Sequence, residues 1–594
     1  MPRFLLFLLA QLIVLASATA QYQLYSSPAD PKHGSKMTVT AMSSILPTSG
    51  YLPVRVEIRN GDPQNDRNWS FHFTSKDHSW DAGNHLSSTF SASCPAGKQR
   101  SVEFLVPMVT VLQEEGRLSL ELRITGAPPI AANHLSMEND HSADWPAILM
   151  SQALHTPNSG ALNATVASRF SYGGPQFAGS FLPRDLSSDW RAYEGFDLLM
   201  LTDLDWKELS PGAQTAIKTW NRLGGKILFY TTDASVSLAS LGFEPTTQDG
   251  LTSERSWGES RLISLPAATG YSLDASETER LAAGLPNPSN TFVSLRQFPR
   301  GWPLQQTFGQ RSFNPLLFIL ILIAFAIVVG PINLFVFAKS GQRQRLFFTT
   351  PLISLSASLL LLIIIIFQDG FGGKGHRLAV VELRPEENMA YLHQQQISRT
   401  GVLLNTSFEV PDSAIVKPLA LEESRWTRVT DYNFGGESRY RMDHEDQSTL
   451  RLSGDWFKSR SEYGHQVKAV QPTRGRLELL TTEGRPQVTS TFSFSLKKIY
   501  YHGENGVYWQ SPGSLASGRS IALEPCPEED FRRWLLQQKK KFTSHTRNRW
   551  EILSGQERRG HFYALADEGP FVDTLPSLNW EESTALLTGP MVKP

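Results

Sequence analysis

Two uncharged apolar runs, Pro315 to Phe337 and Leu346 to Phe367, constrain this chain more than any other feature. They hold 23 and 22 residues. A helix needs about 20 apolar residues to cross the hydrocarbon core of a bilayer, so each run predicts a transmembrane helix. The eight residues between them carry Lys339, Arg343 and Arg345 and no acid. An excess of cations marks cytoplasmic loops, which places residues 338–345 in the cytoplasm and both long flanking regions outside it. Neither run holds an ionisable residue. Ion and proton pathways normally need intramembrane charge, so the hairpin is expected to anchor rather than conduct. Gly330-Pro331-Ile332-Asn333 and Pro351 interrupt the apolar pattern. At about 1.5 Å per residue Asn333 and Pro351 fall at similar depth, and the Asn333 amide is expected to satisfy the Phe347 carbonyl that Pro351 leaves without an N–H.

The amino terminus points the same way. Arg3, an apolar run from Phe4 to Leu15, and Ala18-Thr19-Ala20 before Gln21 form a secretory signal with its cleavage site. At 594 residues the chain is long enough for several domains. A net charge of −1 with no long run of one sign argues against a nucleic-acid partner. The two cysteines, Cys94 and Cys526, both fall on the exported side and stand in no metal-ligand spacing. They are either a bridge closing a very long loop or one buried thiol in each β region.

Between Lys36 and Thr125 short strands alternate with turns. Val54, Val56 and Ile58 interleave with Arg55, Glu57 and Arg59, the period of a half-buried strand, and Asn60-Gly61-Asp62-Pro63 stops it. The spacing predicts an immunoglobulin-like sandwich over residues 22–126. Residues 127–144 are polar and irregular and read as a linker. A different pattern follows. Phe196 to Leu201 is a continuous apolar strand, Ser210 to Leu223 a capped helix with Ala213, Ile217, Trp220 and Leu223 on one face, and Lys226 to Tyr230 a second apolar strand. That is a βαβ unit with a buried parallel sheet.

The run Tyr193-Glu194-Gly195-Phe196-Asp197, continued through Leu209-Ser210, Gln214, Trp220 and Gly224-Gly225-Lys226-Ile227, resembles uncharacterised bacterial envelope proteins that contain a class I glutamine amidotransferase-like domain. The hairpin residues Gly330-Pro331-Ile332-Asn333, the basic loop and Pro351 extend the resemblance. It implies an exported sandwich, an α/β domain over residues 145–310, a membrane hairpin and a distal β region. An amidotransferase needs a cysteine nucleophile with a histidine to activate it. Residues 145–310 contain no cysteine, no Gly-x-Ser-x-Gly elbow, and a single histidine, His155, read as a surface or loop residue.

Two acidic features mark the carboxyl ends of these strands, where α/β folds place ligands. Asp203 and Asp205 read as a solvated loop or as metal ligands. Asp233-Ala234-Ser235-Val236-Ser237 resembles the metal-ion-dependent adhesion site of von Willebrand factor type A domains, which implies Mg²⁺ held by Asp233, Ser235 and Ser237. Beyond the hairpin, candidate strands such as Leu378 to Leu383, Gly401 to Val410, Thr449 to Leu452 and Leu496 to Tyr501 predict a second sandwich over residues 376–525, with Asp431 to Gln447 as an inserted polar loop. Trp456, Tyr500, Tyr501 and Trp509 serve its core or line a glycan or peptide groove. Glu528 to Lys541 reads as an amphipathic helix capping that sandwich or lying on an anionic leaflet, within a carboxyl-terminal segment 526–594.

The expectation is a multidomain α/β plus all-β membrane protein of a bacterial inner membrane. No catalytic residue, cofactor or nucleic-acid partner is assigned. Its exported domains bind a protein or polymer; the alternatives are a divergent hydrolase or transferase using Asp203, Asp205 and Asp233, and a Mg²⁺-dependent adhesion module.

Overall fold

The computed structural model describes all residues except 1–21, 79–82, 112–114, 127–131, 143–146, 170–177, 247–248, 254–257, 285–301, 310–314, 339, 420, 422–437, 445–448, 483, 542–557 and 594. The expected signal peptide and Lys339 lie outside the described residues. What is described is a multi-sheet α/β protein with two apolar helices long enough to cross a membrane.

Alternation builds the first two sheets. Met37, Val39 and Ala41, then Val54, Val56 and Ile58, turn inward from an antiparallel sheet ordered Tyr22–Ser26, Lys36–Ala41, Tyr51–Arg59, Gln99–Pro107. Trp69, Phe71 and Phe73 do the same from the facing sheet. The ring of Phe104 meets Phe71 and Phe90 across the gap at 5.2 and 4.8 Å. Residues 127–144 are not simply a linker. Ala132–Ser142 is a strand on the edge of that second sheet, antiparallel to Glu115–Gly126. Among its described side chains Leu135 and Met137 carry the inward period, and an edge strand tolerates the polar residues that disguised it.

The second sheet does not end with the amino-terminal region. Its order is Phe408–Pro411, Thr449–Gly454, Ser438–His444, Gly83–Cys94, Arg67–His78, Glu115–Gly126, Ala132–Ser142. Three strands from beyond the hairpin therefore complete it, with Ser438–Arg441 parallel to Asn84–Ser87. The segment expected as an inserted polar loop supplies one of these strands, and Gly401 to Val410 yields a strand only at Phe408–Pro411.

The parallel sheet is ordered Ala178–Phe181, Ile148–Ser151, Leu198–Thr202, Lys226–Thr231, Glu259–Ser264, with a short antiparallel Thr252–Ser253 at the edge. The helix Pro211–Arg222 starts where expected, the Ser210 hydroxyl accepting from the Ala213 N–H. The remaining chain forms a nine-stranded sheet and a three-stranded one. The central strand of the nine is Leu578–Pro590, parallel to Gly373–Arg384, which in turn pairs with Met389–Thr400. The helix Glu528–Lys539 lies on this sheet, with Phe531 and Leu535 buried among Tyr500, Tyr508 and Tyr563. It caps the sheet, as one of the two readings held. Both cysteines are free: Cys94 is buried, its Sγ near the Lys98 carbonyl, and Cys526 is half-buried.

A buried ion cluster joins three of the sheets. Glu194 follows the short turn Trp190–Tyr193 beside the parallel sheet, and its side chain is 2 % exposed. Lys417 reaches it at 2.9 Å and Lys468 at 2.7 Å, from paired strands of the nine-stranded sheet on which Ile415 opposes Lys468. Lys417 also donates to Ser49 Oγ of the first sandwich at 3.2 Å. Gly195 permits the approach: a β-carbon there would lie 2.3 Å from both Pro47 Cβ and the Ser49 carbonyl. A second contact pairs Arg222 with Glu387 and Tyr391.

The hairpin differs from a plain pair of α-helices. Pro315–Ile327 is α-helical, but Val328–Phe337 winds as a π-helix, shown by the Ala338 N–H donating to the Asn333 carbonyl. Pro331 has no N–H and crowds the carbonyl four residues back, which favours the wider register. A β-carbon on Gly330 would meet no atom within 4 Å, so close packing does not demand glycine there. The second helix, Leu346–Asp369, contains Pro351. Asn333 and Pro351 do come to one level, but Asn333 Nδ2 donates to Thr350 Oγ1 at 2.9 Å, not to the Phe347 carbonyl. Arg343 and Arg345 stand exposed in the turn between the spans.

Three tests address these interactions and Asp197 beside them. In detergent, Asn333→Leu and Thr350→Val should each destabilise the hairpin, and the double variant should show a coupling of about 0.6 kcal/mol. Zero coupling in that cycle would remove the bond from the account. In the ion cluster, burial works to raise the Glu194 pKa, but Lys417 and Lys468 outweigh it and hold the group below its ordinary 4.5. Its contribution is thus complete above pH 4.5 and lost as pH falls through the lowered value. Asp197, crowded by protein although its residue keeps some surface, is pushed by burial from 3.8 to about 6, against a hydrogen bond from the Ala147 N–H. Its ionisation therefore destabilises the fold increasingly between pH 3.8 and 6. Melting curves at pH 7 should place Glu194→Gln about 3–5 kcal/mol below the parent, less so in acid. Asp197→Asn should melt higher than the parent at pH 7, with the difference gone near pH 4.

Candidate functional site

The carboxyl ends of the parallel strands bring together Thr202, Asp203, Lys207, Tyr271 and Asp233, and most of these groups are already engaged. Thr202 caps the helix Asp203–Glu208 in a reciprocal box. Its hydroxyl accepts from the Asp205 N–H at 3.0 Å, and Asp205 Oδ2 accepts from the Thr202 N–H at 2.8 Å. Asp205 is thus a helix-capping residue. Asp203 is buried, paired with Lys207 Nζ at 3.1 Å, and accepts from the Tyr271 hydroxyl at 3.4 Å. An ammonium occupies the position beside Asp203 that a cation would need.

The Asp-x-Ser-x-Ser run forms two local motifs. The Asp233 carboxylate accepts from the Ser235 N–H at 2.8 Å, an Asx-turn that holds this exposed acid below its ordinary pKa. The Ser237 hydroxyl accepts from the Ser240 N–H, and Ser240 Oγ returns the bond to Ser237. Asp233 and Ser235 are brought together; Ser237 turns to Ser240. Among the described residues no three His, Cys, Asp or Glu side chains group as a metal would require.

Sequence reasoning did not single out Ser151, which sits at a strand-to-helix junction. Ser151 ends the strand Ile148–Ser151, and the helix Gln152–Arg169 begins at the next residue. An apolar strand passing straight into a helix was the available signal. The Ser151 hydroxyl is fully buried and has no hydrogen-bond partner among the described residues, so no base is placed to take its proton. His155, one helical turn on, bonds the Ala178 carbonyl instead, at 3.3 Å, and its burial lowers its pKa.

A larger opening lies elsewhere. A cleft of about 830 Å³ is bounded by the Asn405–Glu409 segment, Arg451, Arg377 and the Asp573–Trp580 segment. Arg377 is held between two rings, 4.2 Å from the centroid of Phe571 and 4.9 Å from that of Trp580. It pairs with Asp573 at 2.5 Å and donates to Ser583 Oγ at 2.9 Å. Glu409 and Arg451 face each other in register across the neighbouring strands. The lining thus alternates two guanidinium groups, two carboxylates and an indole, a surface suited to a polar chain rather than to an apolar ligand. The aromatics expected to form a groove are elsewhere: Trp456, Tyr500 and Tyr501 are buried and Trp509 packs on the core. Trp580 was missed because Leu578–Pro590, whose first half carries Asn579, Glu581 and Glu582, shows no apolar run there.

No protein-family model and no curated protein matches the chain. Among solved structures, a yeast delta-COP-I mu-homology domain complexed with a Dsl1 WxWxV peptide is similar at 10% identity, covering 37% of this chain and 96% of its own, with a TM-score of 0.17. A Paenibacillus cycloisomaltooligosaccharide glucanotransferase complexed with cycloisomaltoheptaose gives 11% identity, 32% and 27% coverage and a TM-score of 0.15. A beta-glucuronidase of glycoside hydrolase family 2 gives 9%, 96% and 63%, with 0.17. At these scores the likenesses carry no argument for this chain.

Proposed function

We propose that the chain is a non-enzymatic, membrane-anchored envelope protein that presents its soluble body outside the cytoplasm and binds a polar polymer or extended peptide in the cleft between Arg451 and Trp580. The reading includes a secretory signal at residues 1–20, an immunoglobulin-like amino-terminal sandwich, an amidotransferase-like α/β domain without its nucleophile, and insertion in a bacterial inner membrane. The contrast between the two sites carries it. At the parallel-sheet edge Asp203 and Asp205 are held by a salt bridge and a capping box, and among the described residues no base bonds Ser151. The cleft, by contrast, is open and lined by charge and an indole. Exposed Arg343 and Arg345 in the hairpin turn support the cytoplasmic side for that turn. The rigid junctions through Glu194 and Arg222 support a presenting body rather than a set of independently moving domains.

The test uses the full-length protein in detergent against immobilised glycans and extended peptides. The parent should retain one class of polymer intact, and the Glu409→Ala/Arg451→Ala double variant should bind it at least tenfold more weakly, about 1.4 kcal/mol, while melting within a few degrees of the parent. Equal retention by both proteins, or conversion of the polymer to smaller products, would overturn the proposal.

A further inference from the structure

The described segments that flank the hairpin, up to Gly309 before it and from Asp369 after it, are fastened at one end of the nine-stranded sheet. Ahead of the first span, the helix Pro303–Phe308 sits on this sheet with Trp302 and Leu304 buried. Arg399 holds its end: the guanidinium lies 4.7 Å from the Phe308 ring centroid, donates to the Gly309 carbonyl at 2.7 Å, and pairs with Glu462. After the second span ends at Asp369 the chain turns at once into the strand Gly373–Arg384. The turn is fixed by three bonds: the Val402 N–H to the Gly370 carbonyl, the Gly372 N–H to the Val402 carbonyl, and the Gly401 N–H to the Gly372 carbonyl, at 2.9, 3.1 and 2.6 Å. Gly370 and Gly372 have φ of +73° and +75°, and a β-carbon on Gly372 would lie 2.2 Å from the Ser577 carbonyl oxygen. The chain leaving the second span is therefore held without slack against the sheet.

That geometry holds two large apolar side chains at the level where the span ends. Phe371, two residues past the helix, is 63 % exposed and bridges to Val402. Leu404, two residues beyond Val402, is 89 % exposed. The polar layer of a bilayer is about 5–8 Å thick on each side of the hydrocarbon core, and two residues of chain span at most about 7 Å. From Phe367, where the uncharged run ends, Gln368 and Asp369 add about 3 Å of helix, so if the hairpin spans the membrane Phe371 lies no farther than about 10 Å from the hydrocarbon core, at the outer face of that layer, and the bridge holds Leu404 near it. The neighbouring cations are already committed, Lys374 to Glu581, Arg399 to Glu462 and Lys458 to Asp455.

We propose that Phe371 and Leu404 are a lipid-docking pair that seats the soluble body on the leaflet where the second span ends, by apolar insertion rather than by attraction to anionic headgroups. The inference rests on the membrane-anchored reading. Because Leu404 directly precedes the Asn405–Glu409 wall of the cleft, docking sets that wall against the bilayer surface.

The test places an environment-sensitive fluorophore on Leu404→Cys or, as a reference inside the span, on Val336→Cys. Both are made in full-length protein carrying Cys526→Ser and reconstituted in phosphatidylcholine with brominated chains. Emission from both positions should fall by at least half relative to unbrominated lipid, and the loss at Leu404→Cys should not change with 0.5 M salt or added anionic lipid. Quenching at Val336→Cys alone would overturn the docking pair and leave the anchor standing. Quenching at neither would overturn the anchor and the pair with it. A Leu404→Cys label that is blue-shifted, unquenched and dequenched on dilution would show a second copy of the chain covering the site, against the proposal.

Discussion

One carboxylate, Glu194, holds the architecture at its centre. It contacts two lysines from a sheet that the chain reaches only after passing through the hairpin, and one of those lysines also binds the first sandwich through Ser49. Removing charges from water is expensive, and the penalty is offset only where geometry is close and the remaining valences are filled. Here Lys417 is filled by Glu194, Ser49 and the Glu194 carbonyl. The cluster consequently fixes three sheets in one relative placement, because any slip leaves a buried charge unmatched. Such a cluster specifies position more than it adds net stability.

The local grammar of the sequence was readable and the long-range pairing was not. Uncharged runs of 23 and 22 residues, strict alternation at Val54, Val56 and Ile58, and the Ser210-Pro211 cap each encode a backbone state through nearby residues. Strand Met389–Thr400 escaped because His393, Gln394, Gln395 and Gln396 are buried in a polar ladder instead of an apolar one. Gln394 exchanges bonds with the Val572 backbone in both directions, and Gln396 reaches Thr574. Those partners lie 178 residues away, so no local pattern announces them. Ser438–His444 was hidden likewise: alternating Tyr440 and Met442 become meaningful only against Tyr51 and Leu86 of the first sandwich.

The same distinction explains the candidate sites. Asp203, Asp205 and Asp233 looked chemical because acids after a strand often are, yet each is within four residues of a partner that satisfies it. Short-range hydrogen bonding of Asp with its own turn is a common alternative to ligand binding. The cleft is the reverse case. Its walls come from Arg377, Asn405–Glu409, Arg451 and Asp573–Trp580, segments that are unremarkable alone and become a surface only when the nine-stranded sheet and the completed sandwich are side by side.

Completion of the first sandwich by strands from beyond the hairpin also constrains topology. A strand paired in register with Asn84–Ser87 must occupy the same aqueous compartment as its partner. Any membrane the hairpin crosses must therefore be crossed an even number of times between residues 94 and 438, which two helices of spanning length satisfy and one does not. The sheet requires only that both flanks share one compartment and does not choose which. If the hairpin crosses a membrane, the seven-stranded sheet cannot close until both helices are threaded. Until then the Gly83–Cys94 strand presents an unpaired edge, and unpaired edges invite pairing with other chains. In that case insertion of the hairpin is a step in completing this sheet.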